Sequence, residues 1–267
     1  MKLNRAPLIN LLLLLTTLST TPVLAQVNTE SMRKQDLELG AHFTMGTTLS
    51  YIQGNSTIFQ SRIKARYDHI FEKGRIFLIG NHKISSKDDQ IFINQGFGHL
   101  RYVKPLKSAL ELELFVQQEF NEFINLQSRT LLGSGFRYTF GQPAADALTL
   151  VWGSGLMLED EKMDAGPLGI LGDPVHGEAA QLLRASNYLV LKWKPSSLWS
   201  LSSTSYYQVD TQRIADYRIL SQSQANIQLT DRLSLNFLLD LRYDSEPPAN
   251  IKDLDLEFSQ GLSYSFK

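Results

Sequence analysis

The side chains able to do chemistry in this 267-residue chain are five histidines, one acidic run and a large set of strand charges. His42 and His82 fall in mid-strand patterns, His69 and His99 near short turns, and His176 in a long loop. A hydrolytic site needs a nucleophile paired with its base, as Ser–His or Asp–His. No nucleophile motif accompanies any of the five, so each reads as a structural histidine and no catalytic residue is assigned. The run Glu159-Asp160-Glu161-Lys162-Met163-Asp164 has the acids of a calcium loop. It lacks their alternation and the glycine of the sharp turn, so it reads as a solvated loop face. No His/Asp/Glu set has metal-ligand spacing, and no cofactor or metal is expected.

The remaining charges are ordered. Glu38, Arg62, Lys64, Arg66, Glu111, Glu113, Arg129, Arg137, Arg184, Lys192, Asp216, Arg218, Asp240, Arg242, Asp255 and Glu257 all alternate with apolar residues. The period is two, the signature of strands with one polar and one apolar face. It is cleanest in 233–244 and 254–266, where Leu254, Leu256, Phe258, Leu262, Tyr264 and Phe266 face away from Asp255, Glu257, Ser259 and Ser263. Strands near 75–86 and 91–103 alternate weakly and are placed by length and turns. In all, twelve strands are predicted, with one long loop from Asp160 to about Glu178.

The N-terminus bounds the compartment. Lys2 and Arg5 precede an apolar run from Leu8 to Leu18, and Val23-Leu24-Ala25 offers a cleavage site. Residues 1–25 therefore read as a secretory signal peptide, 26–35 as a flexible polar leader, and 36–267 as the β-domain. The chain has no cysteine, so stability cannot come from disulfides. A net charge of −1 gives no electrostatic case for a nucleic-acid partner.

Alternating strands must bury their apolar face against a second sheet or against lipid. The even-numbered connectors, such as Glu72–Gly74 and Lys194–Ser197, are short, and most odd-numbered ones are longer or more polar. That asymmetry is the outer-membrane barrel pattern, with both termini at the short-turn, periplasmic end. Tyr67, Tyr138, Phe140, Trp193, Trp199, Tyr264 and Phe266 all fall beside short turns or the C-terminus, as an interfacial belt would. The predicted class is an all-β, transmembrane, antiparallel up-and-down barrel of about twelve strands. The sixteen strand charges then face the lumen, and Leu262, Tyr264 and Phe266 form a C-terminal assembly signal.

The chain resembles the salt-induced outer-membrane protein family, also called YdiY-like (domain of unknown function 481). The resemblance is carried by Tyr243-Asp244-Ser245-Glu246-Pro247-Pro248 through Asp253-Leu254-Asp255 to Gly261-Leu262-Ser263-Tyr264-Ser265-Phe266. It is also carried by Ser128-Arg129-Thr130-Leu131-Leu132-Gly133-Ser134-Gly135-Phe136-Arg137-Tyr138, by Gly54-Asn55-Ser56 and by Asp216-Tyr217-Arg218. Lys267 departs from it, because such barrels usually end on the aromatic. The resemblance implies an outer-membrane location and supplies no catalytic residue.

Three functional readings follow: a structural, stress-related barrel or small-solute channel; an outer-membrane hydrolase acting at the extracellular rim; or a soluble periplasmic ligand-binding β-protein. On the barrel reading the expected partners are the lipid bilayer, lipopolysaccharide, periplasmic chaperones and the barrel assembly machinery. Basic and acidic lumen charges nearly cancel, which favours bracing of a narrow or plugged interior over an ion-selective path.

Overall fold

The computed structural model describes residues 28–30, 32–34, 37–141, 148–163, 179–247 and 252–264. The period-two segments form β1 (Gly40–Ile52), β2 (Ile58–Phe71), β3 (Gly74–Lys87), β4 (Gln90–Pro105), β5 (Leu110–Asn121) and β6 (Leu126–Phe140). They continue as β7 (Leu148–Met163), β8 (Ala179–Trp193), β9 (Trp199–Asp210), β10 (Tyr217–Gln228), β11 (Leu233–Asp244) and β12 (Leu254–Tyr264). Each strand pairs antiparallel with its neighbours in chain order, so the fold is a single up-and-down meander of twelve strands. The sheet curls into a barrel in which β1–β4 and β10–β12 line one interior cavity. Backbone pairing among the described residues runs from β1 to β12.

Register decides which face each residue takes. Arg62 lies opposite Lys83, Glu111 opposite Arg137, Arg129 opposite both Glu119 and Glu161, and Arg242 opposite Asp255. One-residue slips would turn every one of these charges outward. The outer face carries Phe43, Leu49, Leu114, Leu132, Phe136, Leu156, Leu158, Leu189 and Leu256, all exposed large hydrophobics. Among the described residues no second sheet covers them. A water-facing surface of this apolar extent is not sustainable, whereas a hydrocarbon-facing one is. Strands of 11 to 16 residues also meet or exceed the roughly 9–11 needed to cross a bilayer at a tilt.

Aromatics flank this band. At the short-turn end Trp193 meets Trp199 edge-on at 4.5 Å and Tyr138 meets Phe140 at 4.8 Å. At the opposite end Tyr217 sits between Tyr207 at 5.8 Å and Tyr243 at 5.7 Å.

Two expectations from sequence change. The connector Ser85–Gln90, read as one of the longer loops, is a two-residue turn. Asp88 and Asp89 both take left-handed φ angles of 49° and 64°, the geometry of a tight hairpin matched to strand twist. An exchange with the neighbouring loop holds it: the Asp88 amide donates to the Thr57 carbonyl, and the Thr57 amide to Asp88 Oδ1. The acidic run 159–163 is also not a loop face. β7 continues through Met163, and the alternation turns Glu159 and Glu161 into the lumen, each 3% exposed. Asp164 and the rest of that loop lie outside the described residues, as do His176 and Phe266.

Candidate functional site

Two tiers of ion pairs occupy much of the lumen. Towards the long-loop end, Arg129 joins Glu119 at 2.8 Å and also Glu161, and Arg218 joins Glu159 at 2.8 Å and Asp244 at 2.8 Å. Arg184 has no solvent exposure. It donates two bonds of 2.9 Å to the two oxygens of Asp216 and a third to Glu159. The planar fork matches the carboxylate, which is why arginine and not lysine serves here. Towards the short-turn end, Arg101, Arg137 and Arg75 converge on Glu111 and Glu113.

That second tier is completed by residues from outside the barrel strands. The sequence reads 26–35 as a loose leader, yet Asn28, Thr29, Glu30 and Arg33 are buried inside the barrel. Glu30 accepts from Arg33 and from Arg101, both at 2.9 Å, and from Arg137 at 3.4 Å. Arg33 in turn pairs with Glu113 and reaches Glu111 at 3.5 Å. The Glu30 amide donates to the Tyr206 hydroxyl, Thr29 accepts from Arg101, and Asn28 donates to Gln222. Arg66 of β2 donates to the Met32 carbonyl. The segment therefore touches β2, β4, β5, β6, β9 and β10 across the bore.

Burial alone would push the Glu30 carboxyl up. Arg33, Arg101 and Arg137 outweigh that and hold it at about 2, below its ordinary 4.5. Burial likewise opposes the charge on Arg33, but Glu30 and Glu113 keep it protonated well above the usual arginine value. Each charge is thus tenable only because the other is there.

An aromatic supports the cationic cluster. The Phe77 ring has the guanidinium carbons of Arg66, Arg101 and Arg33 at 5.2, 5.8 and 5.9 Å. Such contacts strengthen where water is excluded. Met32 packs on the same patch of Phe77, Ile79, Phe97 and Val103. These inward hydrophobics blur the alternation of β3 and β4. His99 stacks between Phe97 and Phe115, accepts from Arg101 Nε and contacts Gln117, a structural role.

The sixteen strand charges divide accordingly. Arg129, Arg184, Asp216 and Arg218 form the first tier; Glu111, Glu113 and Arg137 join the second; Arg66 is held by Asp68 beside it. Asp240, Arg242, Asp255 and Glu257 share one face of β11 and β12. Lys192 lies opposite Thr149 and Ser202. Arg62 and Lys64 face the cavity. Glu38 is exposed ahead of β1, and its carbonyl contacts the His42 ring. Leu262 and Tyr264 are exposed on the outer face of β12. Sequence reasoning passed over Glu30, Arg33, Arg101, Glu119, Glu159 and Glu161 as site residues. The strand period around Glu119 and Arg101 could have signalled those two; nothing local signals Glu30. Among the described residues no group of acids and histidines could hold a metal.

A family model, described as a protein of unknown function, DUF481, matches residues 40–266. The chain belongs to the DUF481 family. The match spans all twelve strands and begins after the inserted segment 28–34. No curated protein matches the chain. Among solved structures, the NanC porin is similar at 10% identity, covering 84% of this chain and 99% of that one, with a TM-score of 0.43. The translocator domain of the autotransporter NalP from Neisseria meningitidis is similar at 14% identity, covering 85% and 87%, with a TM-score of 0.37. At these scores the likenesses carry no weight in the argument, and the architecture rests on the ladders of this chain.

Proposed function

We propose that this DUF481 protein is an integral outer-membrane barrel whose lumen is stoppered by its own N-terminal segment. Its role is that of a structural, stress-related wall element or a closed small-solute conduit, and not of an enzyme. Its partners are the lipid bilayer and lipopolysaccharide outside, and periplasmic chaperones and the barrel assembly machinery on the way there. The carrying observation is Glu30, buried mid-bore between Arg33, Arg101 and Arg137. A carboxylate so placed ties the leader to the barrel wall and neutralises the arginines that would otherwise line a water-filled path at that level. The exported leader, the lipid-compatible outer face and the two aromatic girdles support the membrane location.

Planar-bilayer recording tests the reading. Purified full-length mature protein is expected to show little conductance, and a variant lacking residues 26–34 to show stable steps, with heat-modifiable migration verifying that both are folded. Equal conductance of the two proteins would sink the stopper.

A further inference from the structure

The ion-pair tiers fill only part of the bore. Beside the inserted segment lies a cavity of about 690 Å³, within the range of small-molecule sites. Met32 and Lys34 of the segment form one wall. In this cavity, unlike in the tiers, cations stand with no carboxylate in ion-pair reach among the described residues. Arg66 is neutralised by Asp68, and Arg242 is flanked in register by Asp255 and lies beside Asp240. With Arg242 set against its ladder partner Asp255, that leaves Lys34, Arg62, Lys64 and Lys83 against Asp240 and Glu257, still an excess of cations.

Arg62 and Lys83 are directly opposite in the β2–β3 ladder, with Lys64 one inward position along. Like charges facing each other across a ladder destabilise it. Lys83 is 93% buried by exposure of only 7%. Among the described residues no ion pair or hydrogen bond joins Arg62, Lys64 or Lys83 to a carboxylate. Among the described residues every other buried cation of the lumen has a carboxylate within 4 Å. Next to the basic wall the lining is apolar, through Ile79, Leu220 and Leu238.

We propose that this cavity is a binding site for a small organic anion, its phosphate or carboxylate bridging Arg62, Lys64 and Lys83 and its apolar body lying on Ile79, Leu220 and Leu238. An anion there supplies the counter-charge that the wall lacks, and the apolar lining excludes a bare hydrated ion as the preferred occupant. The site goes beyond the stopper, since binding in micelles needs no statement about conductance.

The test is calorimetric titration of full-length mature protein in a non-ionic maltoside detergent. Phenyl phosphate is the probe, with inorganic phosphate and benzyl alcohol as its charged and apolar halves. Phenyl phosphate is expected to bind more tightly than either half. Lys83→Gln is expected to weaken it about tenfold, the loss of one charge-assisted bond. The same substitution should leave the ligand-free barrel as stable as before or more so, because it removes a facing like charge. A merely structural lysine would not separate these two readouts in that direction. Should Lys83→Gln fail to fold, Arg62→Gln, at an exposed lumen position, carries the same expectation. Equal binding of benzyl alcohol and phenyl phosphate, unchanged affinity in the variant, or no heat from phenyl phosphate at millimolar concentration would overturn the site.

Discussion

Glu30 and Arg101 are separated by 71 residues and meet at 2.9 Å inside the barrel, each with almost no exposed side chain. One belongs to the segment ahead of the barrel and the other to β4. Their pairing turns an N-terminal leader into part of the lumen.

Replacing Glu30 with Gln should release that segment. Three guanidiniums would lose their common acceptor, and breaking a buried pair from one side costs roughly 3–5 kcal/mol. The barrel strands keep their own ladders, so undocking is the expected response. Trypsin should then cut after Arg33, which is 8% exposed in the native protein. Resistance of Glu30→Gln equal to wild type would contradict the pairing.

Acid should do the same reversibly. The Glu30 carboxyl is depressed from 4.5 to about 2 when docked. A depressed carboxyl contributes stability that is present above its unfolded value and lost as pH falls through its folded one. Docking should therefore be at full strength above about pH 4.5 and weaken progressively towards pH 2. Trypsin is inactive there, so pepsin digestion or hydrogen exchange of residues 28–34 across that range is the measurement. Protection that is flat from pH 5 to 2 would exclude Glu30 as the anchor.

The first tier, towards the long-loop end, predicts a sharper penalty. Arg184→Met leaves Asp216 and Glu159 buried beside an uncharged side chain and should cost about 3–5 kcal/mol. Arg184→Lys keeps the charge but loses the fork to Asp216, so it should fall between wild type and Arg184→Met. Urea titrations of the three proteins in lipid vesicles rank them. Equivalence of Lys and Arg at this position would contradict the bidentate geometry.

The outer face predicts asymmetry between neighbours on one strand. Leu256→Arg, at a position 63% exposed to the bilayer side, should destabilise the barrel by about 2–4 kcal/mol. Ser259→Arg, one face over in the lumen register, should be mild. Refolding into vesicles measures both, and equal tolerance would argue against a lipid-facing exterior.

Strand identity, strand number and the two-faced character of the strands were legible from the chain alone. Alternation is a local property: once Leu254, Leu256 and Phe258 point one way, Asp255 and Glu257 must point the other. Legibility failed where the inward face was itself apolar, as at Phe77 and Phe97, because a period of two vanishes when both faces carry hydrophobics. It failed again at Glu159 and Glu161, where a charged strand end has the composition of a loop. What only the tertiary structure decided is which charges meet. Glu30 reaches Arg137 over 107 residues, and Arg218 reaches Glu159 over 59, because a curled meander brings distant strands across one bore. Opposite charges attract at any sequence separation, so no local pattern could specify that a polar leader would find its three partners inside the barrel, or that Arg62 and Lys83 would be left facing each other without one.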